Sequence, residues 1–223
     1  NMYSVPYTFG TVGILYNKKM VDGVPSFKTL WDKKYENNVI MYDSERDSIG
    51  ITLKMLGYSL NTENDAELSK AKEQLIAQSP NVQAYFTDLV REKMVANDAA
   101  LAVVYSGDAS LCIAENPDLA FVVPEEGSNI FYDAMCIPKG SKNKALAEEF
   151  INFMLREDVA RMNAKMGYCM PHSAIYEDTE FRDQYAIYPS DDVVSKCEFF
   201  HNLPDEVNAK YADIWTEVKL SVY

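Results

Sequence analysis

The sequence is poor in the residue types that most often carry chemistry. It holds only two histidines, His172 and His201, too few for a histidine-based metal site. Its four cysteines, Cys112, Cys136, Cys169 and Cys197, are scattered among apolar or aromatic neighbours with no CxxC spacing, a pattern of buried free thiols rather than disulfides or metal ligands. No GxSxG elbow, phosphate-binding loop, GxGxxG turn or HExxH helix occurs. No apolar run approaches the ~20 residues a membrane helix needs, and the first residues lack the basic and apolar regions of a signal peptide. Basic residues are scarce: 21 Lys and Arg face 34 Asp and Glu, a formal net charge of -13. That balance argues against nucleic acid or an anionic membrane as partner, and suits a cationic ligand or plain solubility equally.

What remains is ordinary globular protein: 223 residues, 48% hydrophobic and 12% aromatic, enough for one large or two modest domains. Short apolar runs alternate with helical patterns, the signature of an α/β architecture. Residues 11–17 (TVGILYN), 38–43, 82–88, 100–108 and 119–127 read as strands. Residues 46–56, stopped by Gly57, and 66–79, capped by Asn64 or Asp65, read as helices. A helix pair over 143–156 and 157–167 and a long helix over 203–220 follow. Short buried strands between helices favour parallel sheets, whose ligands collect beyond the carboxyl ends of the strands. Asp43, Ser44 and Asp47, then Thr87 and Asp88, then Tyr105 and Asp108 fall at those ends.

The stretch GSNIFYDAMCIPKG, residues 127–140, is the most informative. Asp133 precedes the run Ala134-Met135-Cys136-Ile137, which reads as a buried strand leaving a loop, and no Lys or Arg lies within five residues of it. An ionised carboxylate there costs several kcal/mol unless a partner neutralises it, so the partner comes from elsewhere in the fold or from outside the protein. Asp43-Ser44-Glu45-Arg46-Asp47 admits helix capping, ligand binding or paired catalytic carboxylates, with capping the simplest. Aromatics recur near strand ends at Tyr85-Phe86, Tyr105, Phe131-Tyr132, Tyr168 and Phe199-Phe200, each more often core than site. Together with Asp47 and Asp133 they make a kit for a long organic cation: aromatic faces attract ammonium groups by about 0.5 to 2 kcal/mol each, and carboxylates fix the ends. A binding protein for another cationic or neutral small solute is the alternative within the class, and an acid-base enzyme using Asp47 and Asp133 is the rival from another class.

The blocks SVPYTFGTVGILYN, TLWDKKYENNVIMYDSERDSIGITLKMLGYSLNT, PEEGSNIFYDAMCIPKGSKNKALAEEFINFMLREDVARMNAKMGYCMPH, YPSDD and EVNAKYADIWTEVKL strongly resemble the spermidine/putrescine-binding proteins of bacterial ABC importers, from Ser4 to Leu220. The resemblance implies a type II periplasmic-binding-protein-like α/β fold and a polyamine ligand in a cleft between lobes. It also implies ABC-transporter permease subunits as partners, a periplasmic or extracellular location, and neither catalysis, cofactor nor metal. It assigns Asp133 to one ligand amine and Asp47 to the other end, with Ser44 at a family aspartate position and Asp43 one step before. Phe131 and Tyr105 stand where the family has tryptophans, Thr87 at a cleft serine and Tyr168 at a family tyrosine. Phe200, within Phe199-Phe200-His201, lies near a family glutamine. These departures imply a preference for putrescine over longer spermidine, or a weaker affinity. Family members carry about another hundred residues before SVPY, so the expectation is one near-complete lobe, 8–132 and 181–223, plus part of the other, 1–7 and 133–180. The helix pair of that partial lobe then lacks a partner sheet, and self-association of the chain through it, or mobility of the pair, is expected.

Overall fold

The computed structural model describes residues 3–185 and 187–222. The ends of the expected 1–7 and 181–223 segments, and position 186, therefore lie outside the described residues. The longest strand is β1, Val5–Asn17, buried at every residue from Thr8 onward. Its Val, Ile, Thr and Tyr content favours extended backbone, and burial on both faces explains why it reads as a continuous apolar run. β2 (Val39–Tyr42), β3 (Val82–Phe86), β4 (Leu101–Tyr105) and β5 (Leu119–Val122) complete a sheet of order β3-β2-β4-β1-β5. The first half of β1 leaves that sheet and pairs instead with β6, Ile130–Met135.

Parallel pairing holds for β2 with β3 and β4, but β1 runs antiparallel to β4, β5 and β6. The expected parallel sheet is thus a mixed one. Strand direction has no local signature, because a strand buried on both faces looks the same in either ladder.

α1 (Glu45–Met55) follows β2, and Ser44 caps it by accepting from the Asp47 amide. Gly57, at φ 81°, ends it in the left-handed conformation that suits glycine. α2 (Asp65–Gln78) starts at Asn64, which accepts from the amides of Ala66 and Glu67. α3 (Val90–Val95) and α4 (Ser106–Glu115) flank β4 in sequence. Then come α5 (Lys144–Met154), α6 (Glu157–Ala164), α7 (Ser173–Tyr176), α8 (Thr179–Tyr185), α9 (Asp191–Lys196) and α10 (Asp205–Val222). One face of the sheet packs Met41 and Val103 against α1, α2 and α10 through Ile49, Leu68, Leu75, Tyr211 and Val218. The other packs Leu15, Ile40 and Val104 against α3 and α4 through Met94 and Cys112. A separate small cluster joins Ala160, Ala164, Met170 and Ile175, with Tyr7 and Phe181 against it.

Three readings change. Asp133 lies within β6 rather than in a loop before it, and Tyr132, Asp133, Ala134 and Cys136 are exposed, not buried. α3 and α7 to α9 carry too few apolar residues at helical spacing to be foreseen. The cysteines are free, but only Cys112 and Cys169 are buried; Cys197 is half-buried. On α5, Leu146 and Phe150 are more than half exposed, so its apolar face is uncovered. Among the described residues no helix is long and apolar enough to cross a membrane.

Candidate functional site

A cavity of about 600 Å³ opens beyond the carboxyl ends of β2 and β4, bounded by the first turns of α1 and α4 and by the β1–β6 ribbon. β2 and β4 are parallel neighbours, and each runs into a helix whose third residue is aspartate, Asp47 in α1 and Asp108 in α4. The same strand-to-helix step, taken twice side by side, sets two carboxylates at the cavity. A helix N-terminus favours such anions.

Asp47 is the buried one, 4% exposed. The Tyr105 hydroxyl donates to its Oδ2 at 2.9 Å, and the Asn129 amide donates to its Oδ1 at 3.4 Å. Burial, reinforced by the Asp47 charge beside it, pushes the Tyr105 phenol far up, so it stays protonated and remains a donor. Both partners are neutral, and among the described residues Asp47 forms no ion pair. The neighbouring Arg46 turns aside: its guanidinium lies over the rings of Phe200 at 4.5 Å and Tyr211 at 5.1 Å and donates to Asn61.

Tyr105 packs edge-on against Tyr42 at 4.8 Å and Phe131 at 5.1 Å, which makes an aromatic wall next to that carboxylate. Burial raises the Tyr42 phenol to about 12, with Asp108, Asp47 and Asp88 adding to the shift. Burial likewise raises the Asp108 carboxyl; Arg91 opposes this and Asp88 adds to it. Asp133 accepts from the Thr8 hydroxyl at 2.6 Å across the ribbon. Tyr168 reaches the cavity because Gly167, at φ 86°, lies so close to α4 that an added Cβ would sit 3.0 Å from the Gly107 carbonyl oxygen.

Of the site residues expected from sequence, Ser44, Asp47, Tyr105, Phe131, Asp133, Tyr168 and Phe200 all line this one cavity. Asp43 and Thr87 do not. Asp43 is exposed and ion-paired at 2.8 Å with Lys219, whose ammonium sits over Tyr85 and Trp215; Thr87 is exposed after β3. The step from Asp43 to Ser44 turns the chain into α1, which sends the acid outward and leaves Ser44 as cap. Asp108, placed at a strand end by the sequence, lines the cavity as well, and Asn129, Thr8, Phe9 and Arg46 join it without a sequence assignment to the site. A signal existed for Asn129, which stands two residues before Phe131 and four before Asp133, the spacing of one strand face. Neither histidine is in the lining, and among the described residues no cluster of His, Cys, Asp or Glu is arranged to hold a metal ion.

A mixed α/β sheet with an acid- and aromatic-lined cavity beyond the carboxyl ends of β2 and β4 has the architecture of the periplasmic-binding-protein-like class. The comparisons narrow this. The chain matches the family model described as bacterial extracellular solute-binding protein over residues 1–196, and it belongs to that family. It is 32% identical to the spermidine/putrescine-binding periplasmic protein of Salmonella typhimurium over 98% of this chain and 64% of that protein. It is 28% identical to the putrescine-binding periplasmic protein of Escherichia coli, over 98% and 65%. Among solved structures it superposes on the spermidine/putrescine ABC transporter substrate-binding protein of Streptococcus pneumoniae with TM-score 0.89 and 35% identity, covering 99% of this chain and 70% of that one. The chain therefore spans slightly under two thirds of the length of these curated relatives.

Proposed function

We propose that this chain is part of the substrate-binding component of an ABC importer and captures polyamines, putrescine or spermidine, on the periplasmic or extracellular side. Capture is by enclosure between two lobes, with no bond made or broken, and delivery is to the permease subunits. One observation carries the reading: Asp47 is a carboxylate, 4% exposed, that lines a cavity and has only neutral donors. A buried charge that Arg46 reaches only through space, with no ion pair, is costly to hold, and an ammonium from outside that pairs with it directly removes that cost. The aromatic wall of Tyr42, Tyr105 and Phe131 adds cation attraction and a surface for methylenes. Asp108 supports the same reading. With Ser44 in place of one family acid, Asp47, Asp108 and Asp133 still give the cavity three carboxylates, enough for a ligand with more than one charged nitrogen. In this proposal residues 8–132 and 181–223 form one lobe, and 1–7 and 133–180 contribute to the other.

Isothermal titration calorimetry of the full chain against putrescine, spermidine and a panel of amino acids tests it. Binding of either polyamine, weakening as salt rises, is the expected result. Heat with the amino acids alone would sink the proposal and turn attention to Arg46 as an anchor for a carboxylate.

A further inference from the structure

Asn129 stands immediately before β6, and the residue is 4% exposed. Its amide nitrogen points at Asp47, an arrangement the chemistry requires, because an ionised carboxylate only accepts and the reverse orientation would set two acceptors against each other. That choice fixes the other end of the group: the Asn129 Oδ1 is a buried acceptor with no donor. Backbone donors nearby are already used. The Val12 amide bonds the Asn129 main-chain carbonyl, the Ile130 amide bonds the Glu198 carbonyl, and the Thr11 amide bonds the Ser106 hydroxyl. An orphaned buried acceptor costs about 1–3 kcal/mol, and this one belongs to a residue that lines the cavity beside the carboxylate.

We propose that Asn129 selects the end group of the ligand: its Oδ1 takes one N–H of the same primary ammonium whose charge Asp47 neutralises. The inference rests on the cationic-ligand reading above and goes beyond it by naming which nitrogen the buried end accepts. A primary ammonium carries N–H donors enough for both acceptors. A quaternary nitrogen of equal charge carries none, so it satisfies Asp47 electrostatically and leaves Oδ1 orphaned. Sites built around such a hydrogen bond discriminate strongly against analogues that lack the donor.

The test compares putrescine with its hexamethylated bis-quaternary analogue by calorimetry, in the wild-type full chain and in Asn129→Leu and Asn129→Ser. Wild type prefers putrescine, and in the variants the ratio of the two affinities falls about tenfold, the equivalent of about 1.4 kcal/mol, mostly by loss of putrescine binding. A ratio unchanged in folded variants, even with both affinities lowered, overturns the proposal and leaves Asn129 a mere support for Asp47. Should both variants unfold, the Asn129 side-chain amide resonances of labelled wild type decide: they shift with putrescine but not with the analogue, and resonances unmoved by putrescine overturn the assignment. Absence of wild-type binding to putrescine is a separate result, visible without any variant, and it removes the polyamine reading and this one with it.

Discussion

Asp108 is held where its charge works against the fold. Burial raises its folded-state pKa above the usual 3.8, so the native protein loses stability as pH climbs through the interval between the ordinary and the raised value. Asp108→Asn removes that cost. The variant should melt at a higher temperature than wild type at pH 7, the gain should vanish below pH 3.8, and polyamine affinity should fall. Scanning calorimetry at the two pH values, with a binding titration at pH 7, checks all three; a lower melting temperature at neutral pH would mean that Asp108 is engaged in the native fold. Asp47 and Asp133 should differ in a graded way. Asp47 is buried and Asp133 exposed, so Asp47→Asn is expected to lose about 2–4 kcal/mol of putrescine affinity, and Asp133→Asn under about 1 kcal/mol. Equal losses would show that the exposed acid is covered once ligand binds. Tyr105 carries a related lesson. Its place at a family tryptophan invites replacement by indole, yet its hydroxyl is bonded to Asp47, and any residue without that reach leaves one carboxylate oxygen short of a donor.

Elements place these residues, and what the sequence shows least is how elements far apart along the chain pair and cover one another. β2 into α1 was legible because an apolar run, a serine cap and a helical stripe follow one another within residues 39–55. The direction of β1 was not, since register across a sheet depends on contacts far away in sequence. The exposure of Tyr132, Asp133 and Ala134 was misread for a similar reason: an apolar run announces a strand, but only its neighbours decide which face is covered. That most of the expected residues line one cavity is legible in the sequence, because side chains at strand ends converge whatever the strand order. Thr87 failed that rule by sitting beyond the turn. At Gly167 one change should uncouple two elements. An alanine there meets both a left-handed backbone and a 3.0 Å approach to the Gly107 carbonyl, so Gly167→Ala should cost about 1–3 kcal/mol and pull Tyr168 from the cavity. Denaturant unfolding and ligand titration measure the two effects; wild-type values in both would mean that α4 gives way freely.

At the scale of the whole molecule, the uncovered apolar face of α5, with Leu146 and Phe150 more than half exposed, is the least settled surface. The 223-residue chain is expected either to self-associate through α5 and the exposed Met162 of α6 or to leave α5 mobile, since Ala160 and Ala164 of α6 are already buried against Met170 and Ile175. Light scattering with hydrogen exchange decides, and a monodisperse monomer with α5 and α6 fully protected would contradict it. The long strand β1 carries a different consequence, one of time rather than energy. Its register joins Tyr16 to Leu101 and Val5 to Met135, so none of its ladder partners lies near it in sequence. Closing loops of that span comes before any reward from pairing, which slows folding relative to a chain of local contacts. During synthesis the same strand leaves the ribosome before any of its partners and stays apolar and unpaired until the residues of β4 and then β6 have followed it. The nascent chain is therefore most open to aggregation in that interval, and its need for a holding chaperone should end when residue 135 emerges.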